Sequence, residues 1–338
     1  MNDIEEILYK TTLKPDKYDF NISHQSKLMF FGSCFTENIG NKLLENKFNV
    51  IINPFGILYN PISIANSIKY IINKKEFIKD DFFYSNGLWN SFDFHSRFSE
   101  IEPNAMIKKI NDDVNSANVF LKDLNVLFIT FGTSWIYNLN ETNKTVANCH
   151  KLPSALFNKK ILNIEEIYKV YFDLISELRT YNKNLKIIFT ISPVRHLKDG
   201  FKENNLSKSI LRVATEQLIN QFDNCFYFPA FELMTDDLRD YRFYNDDLIH
   251  PSESAVNYIF NFFAHSFFNE HTFETYNSIK NIVKSLKHKP FNTFSEDYFT
   301  FIAKLNERIS NLSQTYKYLD FEPELEFCIS ILNKKSDI

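Results

Sequence analysis

Two short segments of the chain combine residue types able to run acyl chemistry. In Phe30-Phe31-Gly32-Ser33-Cys34-Phe35, a small hydroxyl residue directly follows an apolar run and directly precedes a helical pattern. A serine at the carboxyl end of a buried strand has backbone N–H groups and a helix N-terminus nearby, which suits a nucleophile whose attack creates an oxyanion. The same placement suits a helix cap, and taken alone Gly32-Ser33 fits the cap better. The second segment is Asp246-Asp247-Leu248-Ile249-His250-Pro251, just ahead of another helical pattern. A serine hydroxyl needs an imidazole as base, and the imidazole needs a carboxylate to fix its tautomer. Asp247 and His250, three positions apart, can reach one hydroxyl from a single loop, although Asp-x-x-His alone also fits a surface loop with a capping Asp. Cys34 is a second candidate nucleophile, since a thiol at a helix N-terminus can ionise readily. Adjacent side chains diverge, so only one of Ser33 and Cys34 is expected to meet His250.

The elements that must bring these segments together read as follows. Leu28–Phe31, Val50–Ile52, Val126–Phe131, Leu185–Ile191 and Phe226–Phe228 are short apolar runs bounded by turn residues, and are predicted strands. Helical patterns cover Thr36–Lys47, Pro61–Asn73, Asn104–Leu121, Ile164–Tyr181, Ser207–Phe222 and Ser252–Phe268. This alternation implies an α/β three-layer α/β/α sandwich, a five-stranded parallel sheet covered by helices on both faces. In such sheets ligands bind beyond the carboxyl ends of the strands, and both segments fall there. The chain has only 6 glycines against 36 phenylalanines, so each glycine is expected to meet a backbone need. Gly32, Gly56 and Gly132 each sit just after an apolar run. Around Asn138–Ala147, Tyr137 and Val146 flank a polar turn and suggest a small hairpin.

The combination resembles a known family. Gly32-Ser33-Cys34-Phe35 is similar to the signature of the GSCFA-domain family, related to SGNH/GDSL hydrolases, with Thr36 where the family usually has alanine. Asn53-Pro54-Phe55-Gly56, Phe131-Gly132-Thr133-Ser134-Trp135, Asn148-Cys149-His150-Lys151, Ser192-Pro193-Val194-Arg195-His196 and Tyr241-Arg242-Phe243-Tyr244 extend the likeness over approximately Leu28 to Phe268. The resemblance implies an SGNH-hydrolase, flavodoxin-like fold with Ser33 as nucleophile and Asp247 and His250 completing a triad. It implies an oxyanion hole from the amides of Ser33 and Gly56. The third block of the wider superfamily, Gly-x-Asn-Asp, reads Gly132-Thr133-Ser134-Trp135 here, so Ser134 is the stand-in for the missing asparagine donor. His150, Arg195 and His196 follow predicted strands and are expected on the same rim, with Asn53 and Trp135 as further substrate contacts. Trp89 and His95 are lid candidates. The expected reaction is hydrolysis of O-acyl, chiefly acetyl, esters of a carbohydrate or other small molecule. An acyltransferase using the same intermediate, or a catalytically weak carbohydrate-binding module, are the alternatives.

Bulk properties narrow the field. A net charge of -4 gives no broad basic surface for nucleic acid. The cysteines Cys34, Cys149, Cys225 and Cys328 have no zinc or disulfide spacing, so neither metal nor cofactor is expected and a cytoplasmic location is. MNDIEEILYKTTLKP lacks the basic and apolar regions of an export signal, and no run is long enough to span a membrane. The expected organisation is a hydrolase domain at 1–270 and a helical extension at 271–338 packed on it. Substrate identity and oligomeric state are not readable from these patterns.

Overall fold

Val126–Phe131 is apolar at every position but Thr130, and all of it is buried, as a central strand covered on both faces requires. The computed structural model describes residues 11–335 and supplies that cover. In chain order the elements lying wholly or mostly in the larger unit begin with β1 (Lys27–Gly32), α1 (Cys34–Glu45), β2 (Asn49–Ile52), α2 (Pro61–Ile72), β3 (Phe83–Ser85), β4 (Leu88–Asn90) and α3 (Pro103–Lys122). They continue with β5 (Val126–Phe131), β6 (Trp135–Leu139), β7 (Thr145–Val146), β8 (Phe157–Ile161), α4 (Ile164–Tyr181), β9 (Lys186–Ile191) and α5 (Phe201–Gln221). β10 (Cys225–Tyr227), the single turn α6 (Ala230–Glu232) and α7 (Glu253–Phe267) complete it.

The main sheet has five strands in the order β10-β9-β5-β1-β2. β1 pairs in parallel with β5, β5 with β9, and β9 with β10. This is the flavodoxin-like order, and its direction reverses between β1 and β5, where the carboxyl ends open a crevice. One face of the sheet, with Met29, Phe31, Leu127, Ile129, Phe189 and Ile191, packs with residues of α2, α3, α4 and α5. On the other face Phe30 stacks on Phe128 at 4.3 Å and shares a small space with Phe35 and Ile39 of α1 and Phe263 of α7. The expected three-layer α/β/α sandwich is therefore present.

Several boundaries differ from the sequence patterns for local reasons. α1 begins at Cys34 rather than Thr36, because the carbonyl of Ser33 already accepts the Thr36 N–H at 2.9 Å. α5 begins at Phe201, right after Gly200 with φ +91°, and its polar first turns hide that start from an apolar-periodicity reading. Asn86-Gly87, both at positive φ, make the tight turn between β3 and β4, as this dipeptide does in two-residue hairpins. β6 pairs with β7, Tyr137 opposite Val146, and with β8 to form a three-stranded antiparallel sheet.

Contacts group residues 17–26, 42–49 and the chain from 264 onward into a second unit. It holds α8 (Glu270–Leu286), α9 (Glu296–Thr315) and α10 (Glu322–Lys335) around Ile279, Ile282, Ile302, Leu305, Ile309, Phe321 and Cys328. In the same unit the buried His24 ring stacks on Phe48 at 4.0 Å, and burial holds its pKa down at about 4. A neutral His24 means that the unfolded chain, with an ordinary histidine, binds more protons between roughly pH 6.5 and 4. Stability is thus highest above that window and falls through it on acidification, by about 1.4 kcal/mol per pH unit from this group. Urea unfolding at pH 7.5, 6 and 5 should show a steeper loss in the parent than in His24→Leu, and parallel slopes would exclude this effect. Among the described residues no helix is long and apolar enough to cross a membrane. The N-terminal stretch read for an export signal lies largely outside the described residues.

Candidate active site

The carboxyl ends of β1, β5 and β9 meet the Asp247–His250 loop around a cavity of about 460 Å³, lined entirely by residues of the larger unit. Gly32 makes the turn that opens it. Its φ is +143°, and a Cβ there would lie 2.3 Å from the carbonyl oxygen of Thr130 on the neighbouring strand. Its N–H donates to Asn53 Oδ1 at 2.8 Å, and its carbonyl accepts the Leu58 N–H at 3.0 Å, which fixes the loop after β2 beside the turn.

This turn sends the two neighbouring side chains in different directions. Ser33 is fully buried, its Oγ donates to Ser192 Oγ at 3.0 Å, and it does not line the cavity. Cys34, half-buried at the first position of α1, does line it, together with His250. Burial pushes the Cys34 thiol up from its ordinary value; the Phe35 amide, its own amide and the Lys208 charge pull the other way, and Glu37 adds to the rise.

Asp247 and His250 form the pair that their spacing suggests. Asp247 Oδ2 lies 2.6 Å from His250 Nδ1, which leaves Nε2 as the ring nitrogen free for proton transfer. Hydrogen bonds from the His250 amide, the His250 ring and the Ile249 amide hold the Asp247 carboxyl down at about 2. The carboxylate is therefore ionised throughout the neutral range. Leu248 takes φ +57° in the tight turn between the two.

The remaining expected site residues divide. Trp135, Arg195 and His196 line the cavity. Asn53, Gly56, Ser134 and His150 do not, and each has another task. Asn53 is buried and bonded to Gly32 as above. The Gly56 N–H is already donated to the Asn53 carbonyl at 2.8 Å, so it is not free for an oxyanion. Gly56 is needed because a Cβ there would meet His95 Cβ at 2.3 Å. Ser134 is fully buried, and both its N–H and its Oγ bond to Ser207 Oγ, at 2.8 and 3.0 Å. His150 Nε2 sits 2.7 Å from the Ser91 carbonyl. Of the two lid candidates, His95 is part of the cavity wall and Trp89 lies in the β3–β4 hairpin.

Sequence reasoning missed several lining residues. Tyr137 was readable, since Trp135-x-Tyr137 on a strand shares one face. Lys159 on β8 stands opposite Tyr137, with its Nζ 4.5 Å from the Trp135 ring centre, and pairs with Asp199. Asn148 and Cys149, which belong to a quoted motif but were given no site role, also line the cavity, and so do Tyr59, Asn60 and Lys198, which had no local signature. His196 approaches Gly132 closely, its Nε2 3.2 Å from where a Cβ would stand, and burial keeps its pKa at about 4. It is neutral in the neutral range. Beneath this floor, Ser207 and Lys208 of α5 bond to Thr133, Ser134, Gly132 and Ser192 and so tie together the ends of β5 and β9. Among the described residues, no three His, Cys, Asp or Glu side chains are grouped to hold a metal ion.

The fold and site define a three-layer α/β/α protein with flavodoxin-like strand order, its cavity at the switch point of the sheet. The chain belongs to the GSCFA family, whose model matches residues 27–263; the model of the GSCFA domain protein C-terminal domain matches residues 279–334. None of the curated proteins matches the chain. Among solved structures it is similar to a carbohydrate esterase family 3 protein from Talaromyces cellulolyticus, at 10% identity and TM-score 0.35, covering 76% of this chain and 99% of that one. A family 3 carbohydrate esterase from Clostridium thermocellum gives 11% identity and TM-score 0.34, with 78% and 99% covered. An acetyl xylan esterase from Butyrivibrio proteoclasticus gives 12% identity and TM-score 0.29, with 61% and 55% covered.

Proposed function

We propose that the protein hydrolyses O-acyl esters, acetyl esters first among them, of a carbohydrate or other small molecule through an acyl intermediate on Cys34. The observation that carries this reading is that Cys34 and the Asp247-bound His250 line one cavity, whereas Ser33 has no exposed surface. The nucleophile thus moves by one position from the serine that the sequence resemblance implies, to the thiol held as its alternative.

In this mechanism Cys34 Sγ attacks the ester carbonyl while His250 Nε2 takes the thiol proton, and Asp247 stabilises the imidazolium. The tetrahedral intermediate collapses by breaking the C–O bond, and His250 returns the proton to the departing alcohol. Water then attacks the thioester with His250 again as base, releasing the acid and restoring the thiol. A thiol raised by burial suits this sequence, because deprotonation is coupled to attack rather than completed beforehand. Amides at the start of α1 are well placed in kind for the oxyanion, as helix N-termini favour negative charge.

Trp135, Tyr137, Asn60 and Asn148 give the wall the mixture of flat apolar surface and hydrogen-bonding groups that a small polar ester needs. The scattered, free cysteines favour a reducing compartment, and we infer a cytoplasmic role. The test is a screen of acetylated sugars and p-nitrophenyl acyl esters, with parallel labelling by iodoacetamide and a fluorophosphonate. Turnover blocked by alkylation at Cys34 is the expected result. Folded protein with no turnover, or fluorophosphonate labelling at Ser33, would overturn the proposal.

A further inference from the structure

Lys208 lies in α5, only 2% exposed. Its Nζ donates to the carbonyls of Gly132 and Ser192, each at 2.7 Å. Among the described residues no carboxylate pairs with it. A buried ammonium held by carbonyl dipoles alone lacks a counter-charge, and burial pulls the Lys208 pKa down to about 7, so its charge persists where an anion stands near it. The titratable groups around this floor are Cys34 and Glu37 on α1, Tyr59 after β2, His196 after β9 and His250 beyond. Glu37 is tied to Arg97 at 2.9 Å. His196 and His250 carry no negative charge in any state. Burial pushes the Tyr59 hydroxyl above its ordinary value, which leaves Cys34 as the group best able to supply the missing anion, and the Cys34 and Lys208 charges favour each other.

The hydrogen bonds also link the two mechanically. Lys208 holds the Ser192 carbonyl, and Ser192 Oγ accepts from Ser33, the residue next to Cys34. The Gly132 carbonyl ends the neighbouring strand. We propose that Lys208 is the positioning residue for Cys34, tying the ends of β5 and β9 beneath the cavity and supplying the positive charge that matches the thiolate and the oxyanion. This rests on the Cys34 reading of the function, yet its test does not need any ester to be turned over.

The test follows alkylation of Cys34 by iodoacetamide against pH, in full-length protein carrying Cys149→Ser so that the second half-buried thiol in the cavity is silent. Lys208→Gln keeps an N–H donor for the carbonyls and removes the charge; Lys208→Met fills similar volume with neither. Both should shift the alkylation midpoint to higher pH. On an ester that the parent accepts, kcat should fall on the order of a hundredfold with KM changed only a few-fold. Should Lys208→Gln melt below the assay temperature, Lys208→Met provides the same reading. An alkylation profile coincident with the parent in whichever variant folds would overturn the proposal. Loss of ester turnover with an unshifted profile would equally count against it, since that is what a merely structural lysine would give.

Discussion

Cys34→Ala is expected to lower kcat by roughly a thousandfold or more on any ester that the parent turns over, while Ser33→Ala stays within about tenfold. The first change removes the only atom that attacks in the proposed mechanism, and acts in the chemical step. The second removes one hydroxyl from a buried pair: Ser192 Oγ loses the Ser33 donor but still accepts the Val194 N–H at 3.3 Å. Its cost is therefore chiefly to stability, about 1 kcal/mol. Cys34→Ser refines the comparison, because a hydroxyl at the same place keeps the geometry and loses thiol reactivity. Steady-state kinetics on purified variants with matched circular dichroism decide the matter. If Ser33→Ala were the inactive one, the nucleophile would be the serine after all.

Gly32→Ala should cost about 4 kcal/mol or more of stability, and the protein is expected to be recovered poorly or not at all. The added methyl would meet Thr130 O at 2.3 Å, Thr130 Cβ at 2.7 Å and Thr36 Oγ1 at 2.8 Å, and two of these atoms belong to the central strand. The backbone conformation at φ +143° is itself one that a side chain rarely adopts. Relief would require β1 and β5 to separate where they are hydrogen-bonded through the sheet. Urea denaturation reads the effect; a variant within 1 kcal/mol of the parent would show that the turn relaxes more freely than this packing allows. Gly87→Ala is a useful contrast, since nothing stands within 4 Å of that position, and strain from its positive φ is its main cost.

The frame was legible because parallel strands buried on both faces read as unbroken apolar runs. Val126–Phe131 and Leu185–Ile191 are found almost residue for residue at β5 and β9. The Asp247–His250 pair was legible because its geometry is local, closed within one loop. What was not legible depends on distant partners. Whether Ser33 or Cys34 faces the cavity depends on the turn at Gly32, which packs against Thr130 of a strand nearly a hundred residues away in sequence. Spacing along the chain contains no such information. Gly56 was correctly marked as meeting a backbone need, and that need is the close approach of His95, brought there by a separate loop. Ser134 takes the place of a side-chain donor in the motif, yet Ser207 of α5 claims it. Lys208 had no signal at all, as a lysine in a helix is ordinarily a solvated one.

The antiparallel sheet of β6, β7 and β8 enters and leaves the chain between β5 and α4, and it carries Trp135, Tyr137 and Lys159. The thiol, the imidazole and the buried lysine all come from other segments. Selection can therefore rewrite this insert, exchanging rings for smaller groups or altering charge, with the proposed thiol–imidazole centre inherited unchanged. Related chains with the same Gly-Ser-Cys turn are then free to diverge in what they accept, and grafting one relative's insert onto another offers a direct route to exchanging that preference.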